Sequence, residues 1–139
     1  MANIMYNNFP EHLGNGDFDM DADTFYGVLL TSSYTPLATE EAYSDLTSEV
    51  GNGNGYATGG KALTSPTWVE SAGVTTFDAA DLEWAASTYT CRYLAIYNYT
   101  SAGNYLVCLL DPGEDKSPNA ATFKVQFHAN GILTINVAA

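Results

Sequence analysis

Apolar and polar residues alternate through most of the chain after residue 60, which is the pattern of β-strands that bury one face. The clearest case is LEWA at residues 82–85. In CRYLAIYNY at residues 91–99, Cys91, Tyr93, Ala95 and Tyr97 fall on one side of an extended strand and the residues between them on the other. The Asn130-Gly131 turn favours a final hairpin. Strands are predicted at residues 61–64, 67–70, 74–77, 82–85, 91–99, 105–110, 122–128 and 132–137, the last two forming that hairpin.

The first sixty residues are more mixed. Residues 25–34 predict a long strand, and the apolar run inside it indicates that both of its faces are covered. Residues 39–50 predict a short helix, with Thr39 as its cap and an apolar stripe ending at Val50. Helical spacing also occurs in residues 1–16, but Pro10 interrupts it, so we expect an N-terminal arm or a short helix there.

These elements predict one domain over residues 1–139, a length sufficient for a sizeable core. The expected fold is mainly β: an antiparallel sandwich, jelly-roll-like, or a barrel of about eight strands. One or two short helices would lie near the N-terminal third.

The charge and the cysteine content of the chain limit which partners it can bind and in which compartment it is made. Sixteen acids against four bases give a net charge of −12, which disfavours direct contact with nucleic acid or anionic lipid. There is no basic, apolar leader and no stretch long enough to span a membrane, so we expect a soluble protein made in the cytosol. Cys91 and Cys108 lie in apolar runs; we expect free buried thiols, with a disulfide left open by the spacing.

Alternating carboxylates precede the first long strand, at Asp17, Asp19, Asp21 and Asp23. On an extended segment they would share a face, which makes them weak candidates for a calcium site, although an EF-hand loop would need Gly and Glu at positions held here by Ala22 and Val28. A solvated acidic segment is the default interpretation. No metal and no cofactor is therefore expected.

No catalytic motif accompanies these residues. The chain lacks a Gly-x-Ser-x-Gly nucleophile turn and a phosphate-binding loop, and its two histidines, His12 and His128, have no metal-ligand spacing. An acid–base pair of the glycosidase kind stays open because carboxylates are plentiful, but such enzymes need a deep cleft. We expect a protein that is not an enzyme.

Tyrosine is unusually frequent, with ten copies. Such rings either complete the core with a polar tip at its rim or give rigid contact area to a partner. The aromatic residues of the N-terminal segment and of the loop-rich region are the candidates for the second role: Tyr6, Phe9, Tyr34, Tyr43 and Tyr56.

Taken together, several segments resemble the small structural proteins of tailed bacteriophages that are associated with capsid decoration, also called cement proteins. The resemblance covers nearly the whole chain. It is carried by MYNNF at 5–9, GDFDMDADTF at 16–25, TSSYTP at 31–36, DLTSEV at 45–50, YATGGKAL at 56–63, FDAADLEW at 77–84, RYLAIY at 92–97, FKVQF at 123–127 and GILTI at 131–135.

The resemblance implies a non-enzymatic virion protein on the outer surface of the capsid, synthesised in the cytoplasm of the bacterial host. Its implied partners are the major capsid protein and other copies of itself, as a trimer or dimer at capsid symmetry axes. Two alternatives stay open: a tail or neck component of the virion, and a carbohydrate-binding β-sandwich module.

Overall fold

The computed structural model describes residues 3–136, which form a mainly β structure of antiparallel sheets, as predicted. Its sheets do not close into a barrel, and within these residues there are ten strands and one α-helix. In chain order the elements are β1 (Ile4–Met5), α1 (Phe9–Gly14), β2 (Phe25–Leu30), β3 (Lys61–Ala62), β4 (Thr67–Ser71), β5 (Val74–Asp78), β6 (Leu82–Ser87), β7 (Tyr93–Asn98), β8 (Leu106–Leu110), β9 (Ala121–Val125) and β10 (Leu133–Asn136).

The strands form three sheets. Five of them pair in the order β1-β8-β7-β2-β3, three in the order β10-β5-β4, and β6 pairs with β9 alone. Every side chain of the central strand β7 is buried, so both faces of the largest sheet are covered.

One face of that sheet packs against the two smaller sheets. The rings of Phe25 in β2 and Phe77 in β5 lie 5.0 Å apart between centroids. A Cβ added to Gly27 would come within 2.6 Å of a methyl group of Leu82 in β6. The missing side chain at Gly27 therefore lets β6 approach the sheet closely, and this contact fixes the distance between the layers.

The long connection between β2 and β3 covers the opposite face. Tyr43 stacks on Tyr97 with centroids 4.7 Å apart, and the Tyr97 hydroxyl donates to the Gly59 carbonyl at 2.7 Å. Gly60 has φ of +83°, and a Cβ there would lie 2.0 Å from the Gly27 carbonyl oxygen. Only glycine allows the connection to turn back this close to β2.

The helix predicted at residues 39–50 is wrong. Only a 3-10 turn, Tyr43–Asp45, forms there, since the Asp45 carboxylate accepts the amides of Glu41 and Ala42 and closes a tight turn. The chain then becomes extended, and the Val50 amide donates to the Leu29 carbonyl at 3.0 Å. Pairing beside β2 thus replaces the helical continuation.

The predicted final hairpin is also wrong. A turn does close at residues 128–131, but β9 pairs with β6 and β10 pairs with β5. Phe123 of β9 lies opposite Trp84 of β6, with ring centroids 6.2 Å apart. Aromatic packing against strands distant in the sequence therefore outweighs the preference of β9 and β10 to pair with each other across the turn.

The N-terminal segment is part of the fold. Strand β1 pairs with β8, the Tyr6 amide donates to the Val107 carbonyl, and α1 begins at the buried Phe9 with Pro10 in its first turn. Proline is tolerated there because the first-turn amide has no partner within the helix.

None of the helices in the described part of the chain is long and apolar enough to cross a membrane. Both cysteines are free and buried, as expected. Burial raises the pKa of Cys91 and of Cys108 to about 12, so both thiols stay protonated at neutral pH.

Candidate functional site

A cavity of about 580 Å³ lies between the largest sheet and the segment that runs from β9 to β10. The wall formed by the largest sheet includes Leu29, Leu94 and Leu110, and the wall formed by the segment from β9 to β10 includes Phe127 and Ile132. Volumes of this order hold small organic ligands in other proteins.

The charged residues around the cavity are unlike those of the rest of the chain. Its eighteen lining residues are about an eighth of the sequence, yet they include three of the four Lys and Arg side chains. These are Arg92, Lys116 and Lys124; of the sixteen acids only Asp111 lines the cavity. The lining of the cavity therefore contains more bases than acids, in contrast to the chain as a whole.

Arg92 is placed at the start of β7 by its amide, which donates to the Leu30 carbonyl at 2.8 Å. Its guanidinium carbon lies 5.5 Å from the centre of the Tyr93 ring, and its Nε is buried. That Nε has no hydrogen-bond partner among residues 3–136; Asp111 Oδ1, at 3.5 Å, is in ion-pair range but outside hydrogen-bond geometry. Asp111 therefore compensates the charge of Arg92 without a hydrogen bond at Nε.

Lys116 lies next to Arg92 because residues 91 and 116 form a bridge of two backbone hydrogen bonds, at 2.8 and 2.9 Å. Lys124 comes from β9, where its Nζ lies 3.2 Å from the Asp81 carboxylate. The other Asp81 oxygen accepts the Phe127 amide at 3.0 Å, and these two contacts lower the pKa of Asp81. Asp81 thereby positions both a cation and an aromatic wall of the cavity.

The cavity offers binding groups rather than an activated nucleophile. The Cys91 thiol in its lining is held protonated by burial, with its pKa at about 12. His128 accepts the Asn130 amide at Nδ1, which leaves Nε2 as the donor of the neutral ring. Arginine, lysine and imidazole donors beside leucine and phenylalanine side chains can hold an anion that carries an apolar body.

The four candidate calcium ligands do not converge. Asp17 binds His12, Asp19 accepts the amides of residues 21 and 22, and Asp23 accepts the Asn98 side chain. Residues 20–23 form a turn, not the extended segment we expected. Within residues 3–136, no three acidic, histidine or cysteine side chains are arranged to hold a metal ion.

The five interface candidates lie mostly in the interior. Tyr6 and Phe9 are 0% exposed, Tyr34 is 2% and Tyr56 is 3%, whereas Tyr43 is half-buried. Within residues 3–136 these five side chains therefore do not form an exposed aromatic surface. Two hydroxyl networks satisfy the buried rings: the Tyr6 hydroxyl lies 3.1 Å from that of Tyr34, and Tyr34 donates to Glu40.

Glu49 is the centre of the second network. Its Oε1 accepts the Tyr43 hydroxyl at 2.6 Å, and its Oε2 accepts the Tyr56 hydroxyl at 2.7 Å and the Gly59 amide at 2.8 Å. Burial and the nearby carboxylate raise the pKa of Tyr43 to about 12 and raise that of Tyr56 further. The network ties the β2–β3 connection to the sheet.

His12, at the end of α1, links three segments. Its Nδ1 lies 2.7 Å from Asp17 and its Nε2 2.8 Å from Glu41, and the ring stacks on Tyr105 at 3.7 Å. Partial burial lowers its pKa, but the hydrogen bonds to the two carboxylates outweigh burial and raise it overall.

Two of the exposed apolar side chains belong to the N-terminal third of the chain. Met5 is 43% exposed on the edge strand β1, and Leu37 is 51% exposed. The Asn7 amide donates to the Ala38 carbonyl at 2.8 Å, which joins the two segments that carry these residues. We call Met5 and Leu37 together the N-terminal patch.

Sequence reasoning pointed to the N-terminal segment and the loop-rich region for contacts, but it singled out neither Met5 and Leu37 nor the cavity. The scarcity of cations was a usable signal for the cavity, because in so acidic a chain each Lys or Arg is worth locating. Nothing in the local pattern indicates that residues 92, 116 and 124 meet.

Comparisons with protein-family models, with curated proteins and with solved structures found no match to this chain.

Proposed function

We propose that this chain is a non-enzymatic structural protein of a bacteriophage virion, a decoration or cement protein that binds the major capsid protein on the outer surface of the head. The observation that carries the proposal is the resemblance of the sequence segments, which extends from residue 5 to residue 135. In this role the protein binds the assembled shell and not its free subunits, and so stabilises the head by mass action.

The heavily connected interior supports the proposal. The Glu49 network, the paired hydroxyls of Tyr6 and Tyr34, and the pairing of β1 with β8 hold the N-terminal segment and the long connection on the sheets. A protein that bridges shell subunits benefits from such rigidity, because little ordering entropy is lost on binding.

The N-terminal patch is the proposed contact with the shell. It lies in the N-terminal segment and the loop-rich region, where the sequence places the candidate interface residues, and strand β1 is at the edge of its sheet, the position at which another chain can add a strand. Met5 and Leu37 are each about half exposed, so burying what remains would contribute about 0.7–1.5 kcal/mol each. Repetition over symmetry-related sites, with copies of the protein as a trimer or dimer, would strengthen attachment further.

The test is attachment to purified heads that lack the protein. Wild-type protein, the double variant Met5→Glu/Leu37→Glu and the control Val69→Glu are added, and bound protein is quantified and located by immuno-electron microscopy. Val69 is 58% exposed on the edge strand β4, so its substitution makes the same chemical change on a different sheet. Circular dichroism confirms that each variant is folded.

We expect label over the whole head with the wild type and with Val69→Glu, and little label with the double variant. Equal occupancy by the double variant would reject the N-terminal patch as the contact. Wild-type label at one vertex or along the tail would replace the proposal with a neck or tail component. Absence of label together with binding on a glycan array would favour a carbohydrate-binding module.

A further inference from the structure

We propose that the cavity binds a small amphipathic carboxylate, in which an apolar chain or ring lies between the layers and the carboxylate meets Arg92. This inference does not depend on the role in the virion.

The first argument is electrostatic. In a chain of net charge −12, random placement would put more acids than bases in any large lining, yet this lining has three bases and one acid. Attraction of an anion is strongest where cations meet low-dielectric walls, and leucine and phenylalanine side chains provide such walls here. The acids paired with these cations, which are Asp81, Glu83, Asp111 and Glu114, offset part of this charge, so the preference for an anion depends on direct hydrogen bonds from the cationic groups.

The second argument is the guanidinium of Arg92, which forms no hydrogen bond within residues 3–136. Its Nε is enclosed beside Asp111, whereas its two Nη groups are not buried. A ligand carboxylate placed at the Nη groups would accept charge-assisted hydrogen bonds from them. A neutral alcohol would accept weaker hydrogen bonds, so the site should discriminate between the two head groups.

The lysines can contribute because their present partners hold them weakly. Lys116 pairs with Glu114, which is 69% exposed, and Lys124 pairs with Asp81 and with Glu83 at 3.9 Å. Exposed ion pairs of this kind contribute about 0–1 kcal/mol, so either ammonium group can turn towards a ligand at small cost. With these acids close by, a single negative charge suits the site better than a phosphate dianion does.

The third argument concerns the apolar body of the ligand. Leu94 and Leu110 on the large sheet face Phe127 and Ile132 on the other wall. Half of this cavity would hold a chain of several methylene groups, each of which contributes about 0.8 kcal/mol when buried. The Phe127 wall is held by the hydrogen bond that its backbone amide donates to Asp81, so the cavity is formed before the ligand arrives.

The probe is octanoate, with 1-octanol as the neutral match and octylamine as the cationic match. Binding is followed by amide chemical shifts in ¹⁵N-labelled full-length protein. We expect octanoate to shift the resonances of the cavity lining in a saturable manner, and octanol to bind about tenfold more weakly, which equals about 1.4 kcal/mol. Octylamine should bind more weakly than either.

Two variants and one control complete the experiment. Arg92→Met should weaken octanoate binding about tenfold and leave octanol binding unchanged. Lys61→Met is the matched control, because Lys61 is the one cation outside the lining, and it should leave octanoate binding unaltered. If Arg92→Met does not fold, Ile132→Trp tests the same cavity by filling it, and it should abolish binding of octanoate and octanol together.

Equal affinity for octanoate and octanol, or an unchanged octanoate affinity in Arg92→Met, would overturn the carboxylate assignment. Unshifted lining resonances at saturating probe would overturn the cavity as a ligand site. None of these results affects attachment to phage heads, so failure of this proposal and failure of the proposed function are distinguishable.

Discussion

Removal of the Glu49 side chain should destabilise the fold more than any substitution of an exposed acid. Glu49→Ala deletes three hydrogen bonds to one carboxylate and leaves the Tyr56 hydroxyl and the Gly59 amide without their acceptor. Hydrogen bonds to a charged group contribute about 1.5–3 kcal/mol each, but they share one side chain and their losses do not add. We expect a loss of about 3–5 kcal/mol in the free energy of unfolding.

More conservative variants should have smaller effects in a defined order. Glu49→Gln keeps the shape and one acceptor, and its amide can donate to the Tyr43 hydroxyl, so we expect a loss of about 1–2 kcal/mol. Tyr43→Phe removes one half-buried hydrogen bond and should cost about 1 kcal/mol. Glu11→Ala is the control: Glu11 is exposed on α1, and its loss should stay within about 0.5 kcal/mol.

Urea denaturation followed by circular dichroism gives these free energies, and thermal scans should show the Glu49→Ala midpoint lowered by about 10 °C or more. A double-mutant cycle between Glu49→Gln and Tyr56→Phe should give a coupling energy of about 1 kcal/mol. The reasoning is refuted if Glu49→Ala costs no more than Glu11→Ala, or if the cycle shows no coupling.

Three further predictions use other contacts. Gly60→Ala should lower the free energy of unfolding by more than about 3 kcal/mol or prevent folding, because the new Cβ would collide with the Gly27 carbonyl. Gly16 has the same φ of +83° but open space around it, so Gly16→Ala should lower that free energy by only about 1–2 kcal/mol in denaturation experiments. The pKa of His12 is raised in the folded protein, so its ion pairs contribute fully below the ordinary pKa of about 6.5 and are lost as pH rises through the pKa of the folded state. The free energy of unfolding should therefore fall over that pH range. A free energy that does not change with pH there, or the same pH dependence in His12→Asn as in the wild type, would contradict the assignment. Cys91 and Cys108 should react with a thiol reagent only after urea unfolds the chain, and a rapid reaction of the native protein would show that the buried, protonated state is incorrect.

Local pattern was sufficient to place many of the strands. The β-branched and aromatic residues at 67–70 and 74–77 predicted β4 and β5 to within a residue at each end, and the apolar run before Thr31 indicated that both faces of β2 are covered. These properties depend on which side chains follow each other along an extended chain, and so they can be read without knowledge of partners.

The sequence by itself determined the fold class, the positions of most strands and the acidic character of the molecule, because composition and alternation are local. Only the tertiary structure decided that β9 pairs with β6, that β10 pairs with β5, and that the chain after the Tyr43–Asp45 turn lies beside β2. Alternation specifies which face of a strand is buried but not the strand beside it, since that choice depends on long-range aromatic packing. For the same reason only the folded chain brings Arg92, Lys116 and Lys124 to one cavity and turns most of the predicted interface tyrosines inward.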